Sequence, residues 1–133
     1  MSAEDVIVPG WPAPKGYSNG RIGQGRALHV GGQIGWDAGG TFATGFVAQF
    51  AQTLDNVIAV VKAAGGAIED IAEMTVYVVD MPSYRTARKE LAAVWRERLG
   101  KYYPAMALVA VNELFEPDAL VEIQAVAYIG GAV

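Results

Sequence analysis

The chain has 133 residues, no cysteine, a single histidine (His29) and a formal net charge of −4 at pH 7. Its length indicates one domain over residues 1–133, and a hydrophobic fraction of 53% is ample for a buried core. The lack of cysteine excludes disulfides and thiolate nucleophiles, and one histidine is too few for the usual zinc sites. The acidic balance disfavours nucleic-acid binding, which depends on Lys and Arg along the phosphate backbone.

The start of the chain does not resemble a targeting segment. Glu4 and Asp5 stand where a signal peptide needs basic residues, and no apolar run approaches the length of a membrane span. We therefore expect a soluble, cytoplasmic protein without a membrane partner.

The first half of the chain contains a loop, a pair of strands and a helix. Residues 11–20 are rich in Pro and Gly and predict a loop, and residues 21–22 and 26–34 predict two strands joined by a turn at Gly23-Gln24-Gly25. Apolar residues then recur at helical spacing until Gly65-Gly66, which predicts a helix with one buried face. Its stripe consists of Phe46, Phe50, Leu54, Val57, Ile58 and Val61.

The second half predicts a strand, a helix and two further strands. The strand covers about residues 72–79, and Pro82 opens a helix that ends at Gly100 and carries Arg88 on its charged outer face. The last two strands cover about residues 103–111 and 119–127. The apolar stripe of this second helix consists of Tyr84, Ala87, Leu91, Val94, Trp95 and Leu99.

This order of elements predicts an α+β fold in which two helices pack on one face of a mixed sheet. The other face is left without a helix, and its candidate residues are too apolar for water, although alternation does not decide which side each one occupies. Burial against further copies of the chain in a closed ring is therefore expected. These candidates are Leu28, Val30, Met74, Val76, Val78, Leu108 and Val111.

Glu122 is a carboxylate in an apolar neighbourhood, where ionisation is costly unless something solvates or pairs the charge. Period-two alternation places Glu122 and Gln124 on one face of the last strand and Val121 and Ile123 on the other. Two interpretations follow. Glu122 is either a functional acid, or a residue on the solvated side of an edge strand.

Two short glycine motifs lack the context that their chemistry requires. Gly16-Tyr-Ser-Asn-Gly20 matches the nucleophile-elbow string, but Pro12 and Pro14 precede it where a strand is needed. Gly23-Gln-Gly25 lacks the third glycine of a dinucleotide fingerprint, and no phosphate-binding P-loop motif occurs. We expect neither a catalytic Ser18 nor a cofactor.

Several strings in fixed order resemble the RidA/YjgF family of reactive-intermediate deaminases, also labelled endoribonuclease L-PSP, from about Pro12 to Ala127. The resemblance implies a chorismate-mutase-like fold with a six-stranded mixed sheet, a homotrimer, and clefts between subunits that hold small carboxylated ligands. The strings are Gly16-Tyr-Ser18, Val30-Gly-Gly-Gln-Ile34, Gln52-Thr-Leu-Asp-Asn-Val57, Ala63-Ala-Gly65 with Asp70-Ile71, Thr75-Val-Tyr-Val-Val-Asp-Met81, Pro104-Ala105 and Ala119–Ala127.

The resemblance also indicates site residues. Family members that hydrolyse 2-imino acids hold the substrate carboxylate with an arginine after the Pro-Ala pair, because a guanidinium forms two hydrogen bonds with a carboxylate. Here Met106 takes that position. Arg88 replaces an asparagine on the second helix, and it either restores the missing cation or belongs to a solvated helix face. Tyr17, Gly32 and Glu122 match the family.

The function that the resemblance implies is hydrolytic deamination of an enamine or imine. Glu122 would act as general acid and base, Tyr17 would donate a hydrogen bond or close the pocket, and the backbone near Gly32, Ala107 and Leu108 would complete the cradle. Met106 indicates a larger or more apolar ligand than a short imino acid. The alternatives are a binding protein without catalysis and, least favoured by the acidic charge, a ribonuclease.

Overall fold

The computed structural model describes residues 3–131, which form six strands and three α-helices. The helices are α1 (Phe46–Ala63), α2 (Met81–Thr86) and α3 (Arg88–Leu99), and a short 3-10 helix covers Ile68–Asp70. None of the helices in this part of the chain is long and apolar enough to cross a membrane. The strands are β1 (Ala3–Asp5), β2 (Arg21–Gly23), β3 (Gly25–Ile34), β4 (Ile71–Val78), β5 (Ala105–Ala110) and β6 (Val121–Gly130).

The main sheet has four strands in the order β3-β6-β4-β5. Strand β6 runs antiparallel to both of its neighbours, and β4 and β5 are parallel, so the predicted mixed sheet of an α+β fold is confirmed. The six strands are divided between this sheet and a separate β1–β2 pair. The two strands predicted around Gly23–Gly25 are present, but they do not pair with each other: β2 pairs with β1, and β3 pairs with β6.

The two predicted helical stripes form the core together with one face of the sheet. In α1 the residues Phe50, Leu54, Val57, Ile58 and Val61 are buried, as the stripe predicts. The predicted second helix is divided at Ala87, which ends α2 and begins α3 with φ −92° and ψ 11°. The buried residues of α3, Leu91, Trp95 and Leu99, belong to the predicted stripe and pack into the same core.

The uncovered face of the sheet differs from the prediction. Val30, Met74, Val76 and Val78 are buried in the core on the helix side, and Leu108 pairs with Val76 in register and shares its face. The opposite face is mixed in polarity. The prediction differed because alternation separates the two faces of a strand but does not show which face the helices cover. It carries His29, Glu73, Thr75, Tyr77, Ala107, Glu122, Gln124 and Val126.

A buried glutamine on α1 holds the loop that leads into β6. The Gln49 side chain donates to the carbonyl oxygen of Asp118 at 2.9 Å and accepts from the backbone N–H of Leu120 at 2.9 Å. Since Leu120 directly precedes β6, these two hydrogen bonds help to fix the start of the strand that carries Glu122. Gln49 is 4% exposed, so water cannot replace it.

Replacing Gln49 with Leu is expected to lower the free energy of unfolding by about 1–3 kcal/mol, because the carbonyl oxygen of Asp118 and the N–H of Leu120 both lose a part-buried hydrogen bond. Urea denaturation followed by circular dichroism measures this difference. The exposed Gln24 offers a matched control, and Gln24→Leu is expected to change stability by no more than about 0.5 kcal/mol. Equal midpoints for the two variants would contradict the role given to Gln49.

Candidate active site

Glu122 lies on the uncovered face of an inner strand. Strand β6 is flanked by β3 and β4, and Glu122 is in register with Ile34 on one side and Tyr77 on the other. The edge-strand interpretation of this residue is therefore wrong, because both sides of the β6 backbone are paired. The side chain is half-buried, and its carboxylate makes no hydrogen bond or ion pair with any residue between 3 and 131.

Gly32 and Glu122 are in direct contact. The register between β3 and β6 shifts between Val30 and Gln33, so neither Gly31 nor Gly32 has a register partner on β6. The Glu122 side chain occupies the space beside Gly32, where an added β-carbon would lie only 2.7 Å from the carboxyl carbon. The absence of a side chain at Gly32 thus permits the carboxylate to rest against the β3 backbone.

A second group of candidate residues lines a cavity of about 230 Å³ on the helix side of the sheet. Met106 projects into it from β5, since this residue is in register with the buried Met74. Arg88 borders the same cavity from the first turn of α3. The tertiary structure therefore brings Arg88 and Met106 to the same cavity, which the sequence could not show.

Arg88 differs from the paired arginines of the protein. Arg21 donates to Asp5 at 2.6 Å and lies 4.9 Å from the centre of the Tyr102 ring, and Arg98 donates to Asp55 at 2.7 Å. Within the described part of the chain, the Arg88 guanidinium has neither an ion pair nor a hydrogen bond. It is consequently available to an anion that enters the cavity.

Four aromatic side chains supply much of the cavity wall, and sequence reasoning did not identify them as site residues. Phe50 and Tyr84 meet edge to face with ring centres 6.1 Å apart, and Trp95 and Tyr103 are stacked 5.7 Å apart. The helical periodicity of three of them predicts burial, and burial alone does not distinguish a core position from a cavity wall. Tyr103 begins the predicted strand over residues 103–111, whereas β5 begins only at Ala105.

The Tyr84 hydroxyl is the polar group of this aromatic wall. Burial raises the pKa of Tyr84 above its ordinary value of 10, so the phenol is neutral at physiological pH and can donate a hydrogen bond. No residue among those described accepts or donates a hydrogen bond at this hydroxyl. A carboxylate beside Arg88 would therefore meet a cation and a neutral donor at the same cavity.

Tyr17 is exposed, and in the sequence it stands between Gly16, which lines the cavity, and Ser18, whose hydroxyl is hydrogen-bonded. Gly16 lines the cavity with φ +73°, a value that favours glycine. The Ser18 hydroxyl lies 2.5 Å from the Tyr103 carbonyl oxygen and 3.0 Å from the Asp5 carboxylate. Both of these groups are acceptors, so Ser18 attaches the loop to the start of β5, and no histidine is among these contacts.

Ala107 and Leu108 belong to β5, which forms one edge of the main sheet among residues 3–131. Ala107 is in register with Thr75 and lies on the uncovered face, whereas Leu108 is on the helix side; both are exposed. The outer edge of β5 has no neighbouring strand among the described residues, so backbone groups along it are open to a ligand or a partner.

The candidate residues thus form two groups that one chain does not bring together. Glu122 and Gly32 lie on the uncovered face, and Arg88 and Met106 lie on the helix face. Since neighbouring strands are about 4.8 Å apart, Glu122 on β6 is about 10 Å from the line of β5. A short imino acid cannot contact both groups of the same chain.

Metal ligands do not cluster in the described structure. No group of three or more His, Asp or Glu side chains within residues 3–131 is arranged to hold a metal ion.

Comparison with known proteins shows clear relatives. The endoribonuclease L-PSP family model matches residues 11–129. A RutC family protein of Pyrococcus horikoshii is 33% identical over 127 residues, covering 94% of this chain and 97% of that protein. The 2-iminobutanoate/2-iminopropanoate deaminase of Salmonella typhimurium is 34% identical over 126 residues, with 94% and 97% covered. The crystal structure of YyfB from Yersinia pestis, a Rid family protein of unknown function, matches with a TM-score of 0.83 and 30% identity over 97% of this chain and 100% of that one.

Proposed function

The chain belongs to the endoribonuclease L-PSP family, the RidA/YjgF/RutC group, and from this membership we propose that it hydrolyses a reactive imine or enamine to a carbonyl compound and ammonia. The observation that carries the proposal is the unpaired Glu122 carboxylate, half-buried against Gly32 on the uncovered face of the sheet. The similarity to a 2-imino acid deaminase over nearly the whole chain supports this reaction type.

Glu122 acts as general base and then as general acid. Its carboxylate orients a water molecule and takes one proton from it as the water oxygen bonds to the C=N carbon, while the C=N electron pair moves to nitrogen, which takes a proton from solvent. The carboxyl group then gives its proton to the nitrogen of the resulting carbinolamine. The C–N bond breaks and its electron pair leaves with ammonia, while the hydroxyl oxygen becomes the carbonyl oxygen and releases its proton to solvent.

The complete site is formed between subunits of a homotrimer. This part of the proposal rests on the separation described above, because the acid and the cavity of one chain are on opposite faces of its sheet. A neighbouring copy would bring its Glu122 to the cavity mouth, and the exposed Tyr17 would donate a hydrogen bond or close the pocket there. The backbone near Gly32, Ala107 and Leu108 would complete the cradle.

Arg88 takes over the binding of the substrate carboxylate, and Met106 shifts the substrate range. The thioether of Met106 cannot hold a carboxylate, whereas the unpaired guanidinium of Arg88 borders the same cavity and can. The substrate enters from the side of α3 and meets a more apolar wall than an arginine at position 106 would provide.

A second candidate function is ligand binding without catalysis. The methionine at position 106 favours it, because the loss of the expected carboxylate-binding arginine is compatible with a trimer that keeps its cleft and has lost its chemistry. A ribonuclease is the weakest alternative, since the charge of −4 opposes phosphate binding.

An assay with freshly generated imines tests the proposal. An amino-acid oxidase converts alanine or phenylalanine into the 2-imino acid in the presence of semicarbazide, which traps the imine that survives. We expect the protein to lower semicarbazone formation and to release ammonia faster than the spontaneous reaction. Binding of a stable carboxylate without any such acceleration would support the binding protein instead.

The mass in solution tests the trimer separately. Light scattering during size-exclusion chromatography is expected to give about three times the 14.1 kDa of one chain. A monomer at micromolar concentration would contradict the intersubunit site, because the two groups of residues would then have no means of meeting on one small ligand.

A further inference from the structure

We propose that the cavity between α3 and β5 selects 2-imino acids with an aromatic side chain: the ring occupies the cavity and the carboxylate binds Arg88. This inference rests on the proposed function and narrows it to a substrate class. The arrangement leaves the C=N carbon, which is bonded to the carboxylate carbon, at the cavity mouth beside Arg88.

The walls of the cavity are suited to a flat ring. Phe50 and Tyr84 present an edge-to-face pair and Trp95 and Tyr103 a stacked pair, and aromatic rings prefer these offset and T-shaped arrangements. Met106 adds a polarisable thioether, which makes favourable contacts with ring edges. An apolar cavity of about 150 Å³ is enough for benzene, so a volume of about 230 Å³ holds a phenyl ring and part of its side chain.

The polar groups of the cavity favour an anion. Among the described residues that line it, Arg88 is the only one with a formal charge, and no carboxylate competes for the guanidinium. Arg88 is exposed at the start of α3, while the aromatic pairs are packed against the core, so charge and ring are separated along the depth of the cavity. A ligand with an aromatic end and a carboxylate end matches this order.

A short imino acid is a poorer match. Its carboxylate can reach Arg88, but its methyl group leaves the aromatic walls without a partner. Each methylene that is buried makes the free energy of transfer from water to the cavity more favourable, and a ring contributes as much as several methylenes. We therefore expect an arylalkyl carboxylate to bind at least tenfold more tightly than the short acid with the same carboxylate.

Binding of stable carboxylates to the full-length protein tests the proposal by isothermal titration calorimetry. The probes are 3-phenylpropanoate, propanoate and the neutral 3-phenylpropanamide. We expect 3-phenylpropanoate to bind at least tenfold more tightly than either of the others. Equal affinities for the two acids, or no binding of 3-phenylpropanoate, would overturn the proposal.

Two variants and one control locate the binding. Arg88→Gln is expected to weaken the binding of 3-phenylpropanoate at least tenfold. Ala92 lies on the cavity wall, and Ala92→Phe is expected to abolish this binding because the larger side chain occupies the space. Lys89→Gln removes an adjacent exposed charge that does not line the cavity, and it should leave the affinity unchanged. Because Ala92 is exposed, the larger side chain does not have to enter the core. Unaltered binding in both cavity variants would overturn the proposal.

Turnover separates this inference from the function on which it rests. If 3-phenylpropanoate binds in an Arg88-dependent way but the hydrolysis of no imine is accelerated, the aromatic site is supported and the deaminase activity is contradicted. If the alanine-derived imine is hydrolysed faster than the phenylalanine-derived imine and the aryl acid does not bind, the deaminase activity is supported and the aromatic preference is contradicted.

Discussion

Replacing Glu122 with Gln is expected to lower the rate of imine hydrolysis by about 100- to 10,000-fold, which is the usual contribution of a positioned general acid or base. The amide keeps the shape of the side chain but cannot take a proton from water. Since Glu122 makes no hydrogen bond or ion pair among the described residues, the substitution removes no polar interaction within that part of the fold. The rate is measured with oxidase-generated imines and semicarbazide.

Gln124 provides the control for this experiment. It lies on the same face of β6, two residues further along, and it is exposed. Gln124→Ala is therefore expected to keep the rate within about a factor of three, as is usual for surface positions without a specific role. Activity of Glu122→Gln close to that of the unaltered protein would eliminate Glu122 as the acid and base, and the proposed mechanism with it.

Replacing Gly32 with Ala is expected to lower kcat/KM by about 10- to 100-fold, because the new methyl group displaces the Glu122 carboxylate. The added carbon would lie 2.7 Å from the carboxyl carbon and 3.1 Å from the Glu122 γ-carbon, so the side chain must rotate away. A misplacement of about 1 Å can cost 100-fold in rate. The displaced group is the flexible end of a half-buried side chain, so thermal stability should change little.

Gly31→Ala is the matched control, because nothing lies within 4 Å of a β-carbon added there. It is expected to leave both the rate and the melting temperature near their original values. The double variant Gly32→Ala with Glu122→Gln adds a sharper test. If Gly32 acts through Glu122, the double variant loses no more activity than Glu122→Gln alone. Additive losses would show that Gly32 contributes in some other way.

Local patterns predicted the elements of this fold well. The stripe from Phe46 to Val61 marks the buried face of α1, and the alternation of Val121, Glu122 and Ile123 assigns Glu122 to the opposite face from the core. These features depend on the period of one element, which is 3.6 residues for a helix and two for a strand. Such a period can be recognised from the residues of that segment alone.

Pairing between distant segments was not predictable in the same way. The position of β6 between β3 and β4 depends on which strands satisfy one another's hydrogen bonds, and this overturned the edge-strand interpretation of Glu122. The face on which Val30, Met74 and Val76 lie was left open by the sequence, and the structure places them in the core on the helix side. Alternation fixes only the relation between neighbours on one strand, whereas the choice of covered face depends on where the helices pack.

The sequence by itself determined the period and type of the main elements and the presence of an acid on the last strand. Only the tertiary structure decided that Arg88 and Met106 border one aromatic cavity and that Glu122 rests against Gly32 on the other side of the sheet. The physical reason is that both contacts join residues far apart in the chain, and strand register and helix packing bring them together.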